Sequence, residues 1–163
     1  MALLSNIDIL NICKYLNLPL VGVFMKDKLP KKKEIGYYII NLQSSTDGSG
    51  THWTLLCNIP DRKFYYDSFG FGMPQLVEKW AGKDNYYINP TRLQWDASSF
   101  CGWYCIAVMY HSYNWKPKVK SNIESRITSF NKLFNTKDYK GNYQKMIKYF
   151  DDIFKLHSSL LPK

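Results

Sequence analysis

The 163-residue chain predicts an α+β fold: a central mixed β-sheet packed against one buried helix, with further helices flanking it. Three observations carry that prediction. Runs of β-branched and aromatic residues, separated by turn residues, fill the middle of the chain. Segments of helical apolar periodicity lie on either side of them. One stretch, Cys101 to Tyr113, is apolar on nearly all sides and reads as a central, buried helix. No repeat or low-complexity linker interrupts the pattern, so residues 1–163 read as a single domain, with a basic helical part at 114–163.

Residues 5–16 predict a helix that Ser5 or Asn6 can cap, with Ile7, Leu10 and Tyr15 beside Ile9, Cys13 and Leu16 supplying its apolar face. Pro19 ends it. Val21-Gly22-Val23-Phe24 is short and apolar, and residues 26–33 read as an exposed lysine-rich loop. Residues 36–42 predict a strand, 44–50 a turn-rich connection, and 52–59 a second strand. Pro60-Asp61-Arg62 turns the chain into residues 63–67, which should pair with 52–59 as an antiparallel hairpin. A short helix at 73–81 and strands at 85–89 and 91–94 follow. Residues 96–99 form a loop able to cap the helix beginning at Cys101, which Pro117 ends. Amphipathic helices are expected at 121–134 and 143–156.

Composition narrows the function classes. Hydrophobic residues make up 45% and aromatics 17%, including 13 Tyr, which argues against a disordered chain. No apolar run approaches the roughly 18 residues of a membrane span, and the N-terminus lacks the pattern of a signal peptide. The four cysteines, Cys13, Cys57, Cys101 and Cys105, form no CxxC pair, so free thiols in a reducing compartment are expected. His52, His111 and His157 are scattered, and no metal site is expected. Residues 1–113 carry 11 Lys/Arg and 9 Asp/Glu, whereas 114–163 carry 11 and 4. A basic C-terminal third suggests a polyanion partner, nucleic acid first; lysines at helical spacing also describe an ordinary solvated surface.

One constellation carries chemistry. Cys101 stands where a loop enters the buried helix, and the positive end of a helix dipole favours a thiolate. Gly102 leaves room beside it for a substrate backbone. His52 opens a strand and has the proton affinity of a general base near pH 7. Trp53, on the opposite face by strand alternation, serves either the core or the wall of a substrate site. Asp67, at the end of the partner strand, can orient the imidazole. Asp96, nearer Cys101 in sequence, is its rival for that role and can equally cap the helix. Gln94, seven residues before Cys101, can donate its amide to an oxyanion together with the Cys101 N–H.

In chain order, Gly50-Thr51-His52-Trp53, Tyr66-Asp67-Ser68-Phe69-Gly70-Phe71, Gln94 and Cys101-Gly102-Trp103-Tyr104-Cys105 resemble the adenain family, the adenovirus-type maturation proteases. These belong to the wider superfamily of SUMO-deconjugating cysteine proteases. The opening helix and Val23-Phe24-Met25-Lys26-Asp27-Lys28-Leu29-Pro30 are also similar to that family, so the resemblance spans roughly residues 5–115. It implies a papain-like protease fold with Cys101 as nucleophile, His52 as base, Asp67 as orienter and Gln94 as oxyanion donor; Trp53 and Gly102, read from the residues, are the expected substrate contacts. It further implies cleavage of viral capsid or core precursors after glycine, in the virion and the infected cell; the lack of a long apolar run adds the expectation of no membrane partner. The Lys-, Asn- and Tyr-rich composition fits a virophage-like source.

The resemblance leaves room for activation by DNA, through residues 114–163, or by a viral peptide. No cysteine lies between Cys57 and Cys101 to take such a peptide through a disulfide. Phe100 stands where the deconjugating branch usually has Asp. Two other readings remain: a deconjugase for a ubiquitin-like modifier, and a basic nucleic-acid-binding module on an inactive protease fold.

Overall fold

Residues 1–48, 50–82, 85–116 and 121–160 are described by the structure, a computed structural model. The elements, in order, are α1 (Asn6–Tyr15), β1 (Leu20–Met25), β2 (Gly36–Asn41), β3 (Trp53–Asn58), β4 (Phe64–Tyr66), α2 (Gln75–Ala81), β5 (Tyr87–Ile88), α3 (Cys101–Asn114), α4 (Ile123–Asn131) and α5 (Tyr139–Ser159). The five strands form one mixed sheet in the order β1-β2-β3-β4-β5. β1 runs parallel to β2, β2 to β4 form an antiparallel meander, and β5 runs parallel to β4.

Alternation of side chains along the strands divides the interior into two layers. Tyr37, Ile39, Leu55, Cys57, Phe64 and Tyr66 face α1, α3, α4 and α5. Tyr38, Ile40, Leu56 and Tyr65 face α2 through Val77 and Ala81. β2 is buried at every position because it is covered on both faces.

α3 is the central helix that the sequence predicts. Ten of its residues are buried, from Cys101 to Met109 and at Ser112. Fully burying a side chain such as Ile106, Val108 or Met109 contributes about 1.5–3 kcal/mol, so the helix is anchored along its length. Its first turn is fixed by rings: Phe100 stacks on Tyr143 at 4.2 Å, Trp103 meets Phe150 at 4.8 Å, and Tyr104 meets Phe134 at 5.6 Å.

Several expectations change. Ser5 caps α1 in a reciprocal capping box with Asp8, but the core-facing side is Ile9, Cys13 and Leu16, with half-buried Ile12 packed beside them. Ile7, Leu10 and Tyr15 are exposed, and Tyr15 packs on Phe154 and His157 of α5 instead. Val21–Phe24 belongs to β1, an edge strand. Residues 91–94 form no strand. Pro90 has no N–H to give a ladder and disfavours its continuation, so the chain leaves β5 there, and the Leu93 and Gln94 N–H groups both donate to the Ser68 carbonyl, at 2.9 and 3.1 Å. α4 ends at Asn131, three residues early, while α5 starts at Tyr139 because the Asp138 side chain accepts from Gly141 N–H. The break at Pro117, and Ser49 of the turn-rich connection, lie outside the described residues.

At the far end of α3, the His111 ring packs on Trp115 and Phe130, and its Nε2 lies 2.7 Å from Ser129 Oγ. Burial, then the nearby Arg126 cation, hold the imidazole down from its usual 6.5 to about 4. The unfolded chain takes up this proton near 6.5 and the folded ring only near 4, so stability is lost as pH falls through that interval. Urea unfolding at pH 7 and pH 5 should show a smaller loss for His111→Gln than for the wild type. Equal losses would refute the assignment.

Candidate active site

β3 and β4 bring the first pair together. Their register sets Leu55 opposite Tyr66; continued past the strand ends, it sets His52 opposite Phe69, two positions from Asp67 and on the same face. His52 Nε2 lies 2.9 Å from Asp67 Oδ1. The same oxygen accepts from Phe69 N–H at 2.8 Å, and the Phe69 ring covers the imidazole at a centroid distance of 5.0 Å. Asp67 is fully buried, and its Oδ2 has no hydrogen-bond partner among the described residues. A carboxylate so placed is stabilised by a positive ring beside it.

The loop before His52 is pinned from β2. Asn41, buried at the end of that strand, accepts from the N–H groups of Gln43 and Thr51 at 3.0 and 3.1 Å. Gly50 has φ +119°, and a Cβ on it would lie 2.6 Å from the Asn41 amide, so both backbone conformation and space require glycine. Asn41 is a positioning residue that the sequence reading missed; only the fold brings it to Thr51.

Cys101 is the first residue of α3, and Phe100 offers no side-chain cap. The N–H groups of the first turn are therefore without a capping side chain, and they sit at the positive end of the helix. The thiol is close enough to His52 to act on the proton affinity of the ring, whose Nε2 is taken by Asp67. Burial works against a charged imidazole, but the hydrogen bond to Asp67, then that to Cys101, outweigh it and raise the His52 pKa from 6.5 to about 9. Cys13, Cys57 and Cys105 are also free and buried. Burial pushes the first two thiols up to about 12 and the third well above its usual value, so they are inert packing groups.

Trp53 and Gly102 pack on each other. A Cβ at Gly102 would lie 3.3 Å from Trp53 and from Leu4, so the space beside this glycine is filled by the chain itself. Trp53 Nε1 donates to Leu4 O at 3.1 Å and Trp103 Nε1 to Ala2 O at 2.8 Å, which straps residues 2–4 across the start of α3. The exposed side of this assembly is a groove of about 390 Å³ lined by Leu3, Leu4, Asn41, Gly50, Thr51 and Trp53. Trp53 thus belongs to both the core and the groove wall.

Gln94 is buried. Its Nε2 donates to Ser98 O at 2.9 Å, and its Oε1 accepts from Ser68 Oγ at 2.6 Å. Asp96, the rival of Asp67, points away: it is exposed and pairs with Arg92 at 2.6 Å. Asp67 therefore meets His52 and Asp96 does not.

A polar chain inside the core steadies this corner. Tyr66 Oη donates to Asn131 Oδ1 at 3.0 Å, Asn131 Nδ2 to Asn89 Oδ1 at 3.0 Å, and Asn89 Nδ2 to Asp67 O at 3.1 Å and to Thr91 O at 2.9 Å. Among the described residues, no group of three or more His, Cys, Asp or Glu is placed to hold a metal ion, and no helix is long and apolar enough to cross a membrane. The chain matches no family model, and no curated protein matches it.

His52 binds its proton more tightly in the folded chain than in the unfolded one. Its contribution to stability is fully present below 6.5 and is lost as pH rises through about 9. In Asp67→Asn the largest attraction for that proton is gone while burial remains. The His52 pKa followed by NMR should fall well below 9 in this variant, and an unchanged titration would contradict the pairing.

Proposed function

We propose that the chain is a cysteine endopeptidase of papain-like architecture. The observation that carries this reading is the placement of His52 between a buried carboxylate and the thiol of a residue at a helix N-terminus. The other buried cysteines lack such a partner, and a polar arrangement of this kind at the end of a sheet has no packing purpose that an apolar pair would not serve better.

The residues divide the chemistry as follows. The Cys101 thiol gives its proton to His52 as the sulfur bonds to the carbonyl carbon of a peptide. The carbonyl oxygen takes the negative charge and is stabilised by the second Gln94 Nε2 hydrogen and the Cys101 N–H. The C–N bond breaks as His52 gives its proton to the leaving amine, and a thioester remains on Cys101. His52 then takes a proton from water, whose hydroxyl displaces the thiolate and frees the acid. Asp67 keeps the ring oriented throughout.

The resemblance to the adenain family extends this to a substrate class: viral capsid or core precursors cleaved after glycine, in the virion and the infected cell. The groove beside Trp53 is where the acyl side of such a substrate would lie. Lys132, Lys137, Lys140, Lys145, Lys148 and Lys155 are all exposed, which supports DNA as an activating polyanion and describes a solvated surface equally well.

Cys101→Ala should lower cleavage of a precursor substrate by at least about 10³-fold while the circular dichroism spectrum is unchanged. Retained cleavage would end the proposal. Iodoacetamide at pH 6 should modify Cys101 ahead of Cys13, Cys57 and Cys105, and His52→Ala should slow that reaction. Rapid labelling of Cys101 by the C-terminal electrophile of a ubiquitin-like modifier would move the assignment to a deconjugase.

A further inference from the structure

We infer that Ser68 is a positioning residue for the oxyanion donor, so that consecutive residues of one strand end orient the two halves of the catalytic machinery: Asp67 the imidazole, Ser68 the Gln94 amide. The inference rests on the endopeptidase reading and deepens it. It concerns a residue that the reaction scheme above does not use.

The two ends of a glutamine amide have nearly the same shape and opposite hydrogen-bonding character. An oxyanion is stabilised only if the nitrogen end is presented. The surroundings of Gln94 decide this. The Ser98 carbonyl can only accept, so the atom 2.9 Å from it is Nε2. The other end, Oε1, then lies 2.6 Å from Ser68 Oγ, and the hydroxyl must be the donor. One Nε2 hydrogen is committed to Ser98 O. The second is the only polar hydrogen left on the amide, and it is the one the chemistry needs.

Ser68 holds Gln94 at two points. Its hydroxyl meets Oε1, and its carbonyl accepts Gln94 N–H at 3.1 Å together with Leu93 N–H at 2.9 Å. Its own backbone is fixed from the preceding residue, because Asp67 O accepts from Gly70 N–H at 2.9 Å and from Asn89 Nδ2 at 3.1 Å. Both Ser68 and Gln94 are 2% exposed, so water cannot substitute freely for the hydroxyl. Without it, Oε1 is a buried acceptor lacking its donor, and the amide gains by rotating toward another one. Rotation draws the second hydrogen away from the oxyanion. Ser68 reaches no reacting atom; it acts through Gln94.

The test combines kinetics with the side-chain amide itself, on the full chain. Hydrolysis of a fluorogenic peptide should show kcat reduced about tenfold in Ser68→Ala with KM unchanged, since the oxyanion is present only in the transition state. Ser68→Thr, which keeps the hydroxyl, should restore most of the rate. Ser68→Ala added to Gln94→Ala should cost nothing further, because the serine acts only through the glutamine. By NMR, the two Nε2 hydrogens of Gln94 should exchange slowly in the wild type and markedly faster in Ser68→Ala. Unchanged amide exchange, or lowered thermal stability with unaltered kcat, would overturn the inference. A wild-type chain that cleaves no peptide would remove the endopeptidase reading, and amide exchange would still decide for or against Ser68.

Discussion

The antiparallel pairing of β3 with β4 is the constraint on which the rest of the site depends. Side chains on paired strands meet only in the register that the hydrogen-bond ladder fixes. Leu55 opposite Tyr66 leaves His52 and Asp67 just beyond the ladder, on the same face and 2.9 Å apart. A slip of one residue would turn Tyr66, a core residue, to the other face and leave the imidazole facing no carboxylate. The apolar alternation that drives the hairpin to fold is thus also what aligns the polar pair. Stability and site geometry come from the same interaction.

α3 is the second fixed body. Its burial on nearly every side leaves it no freedom to shift relative to the sheet, and so Cys101 stands at a set distance from His52. The same burial explains why the other thiols are silent: Cys105, one turn further on, is wrapped in apolar groups that penalise a charge. What distinguishes Cys101 is its place at the end of the helix, where the first-turn N–H groups and an imidazole replace apolar neighbours. The segment at residues 2–4, tied down by two indole N–H donors, closes the other side of that helix end and shapes the groove next to it.

Around these two bodies the polar core is almost fully used. The chain of hydrogen bonds from Tyr66 through Asn131 and Asn89 to the Asp67 backbone links α4, the residue that follows β5, and β4. Each member is an uncharged group satisfying another. That arrangement stiffens the backbone beneath the site without placing further charges beside it. Among the described residues, Asp67 Oδ2 is one of three buried side-chain atoms without a hydrogen-bond partner, beside Tyr65 Oη and Ser121 Oγ.

Much of the fold was legible in the sequence because burial leaves a period. The hairpin, the α2 segment and the all-round apolar α3 follow from alternation and helical spacing alone. The short strand β5 and the missing strand at 91–94 were harder, since a proline and a few local hydrogen bonds decide them. Cys101, His52 and Gln94 were legible by residue type and order. The choice between Asp67 and Asp96 was open on the residues alone, because linear distance to Cys101 favours one and hairpin geometry the other. Asn41 and Ser68 left no mark that distinguishes them from any polar residue. The sequence by itself determined the layers, the central helix and the residue types available for chemistry, because hydrophobic periodicity is a local property of the chain. Only the tertiary structure decided which carboxylate meets the imidazole, which groups hold each end of the Gln94 amide and what fills the space beside Gly102. Those are contacts between segments far apart in the chain, made specific by hydrogen bonds whose donors and acceptors no periodicity records.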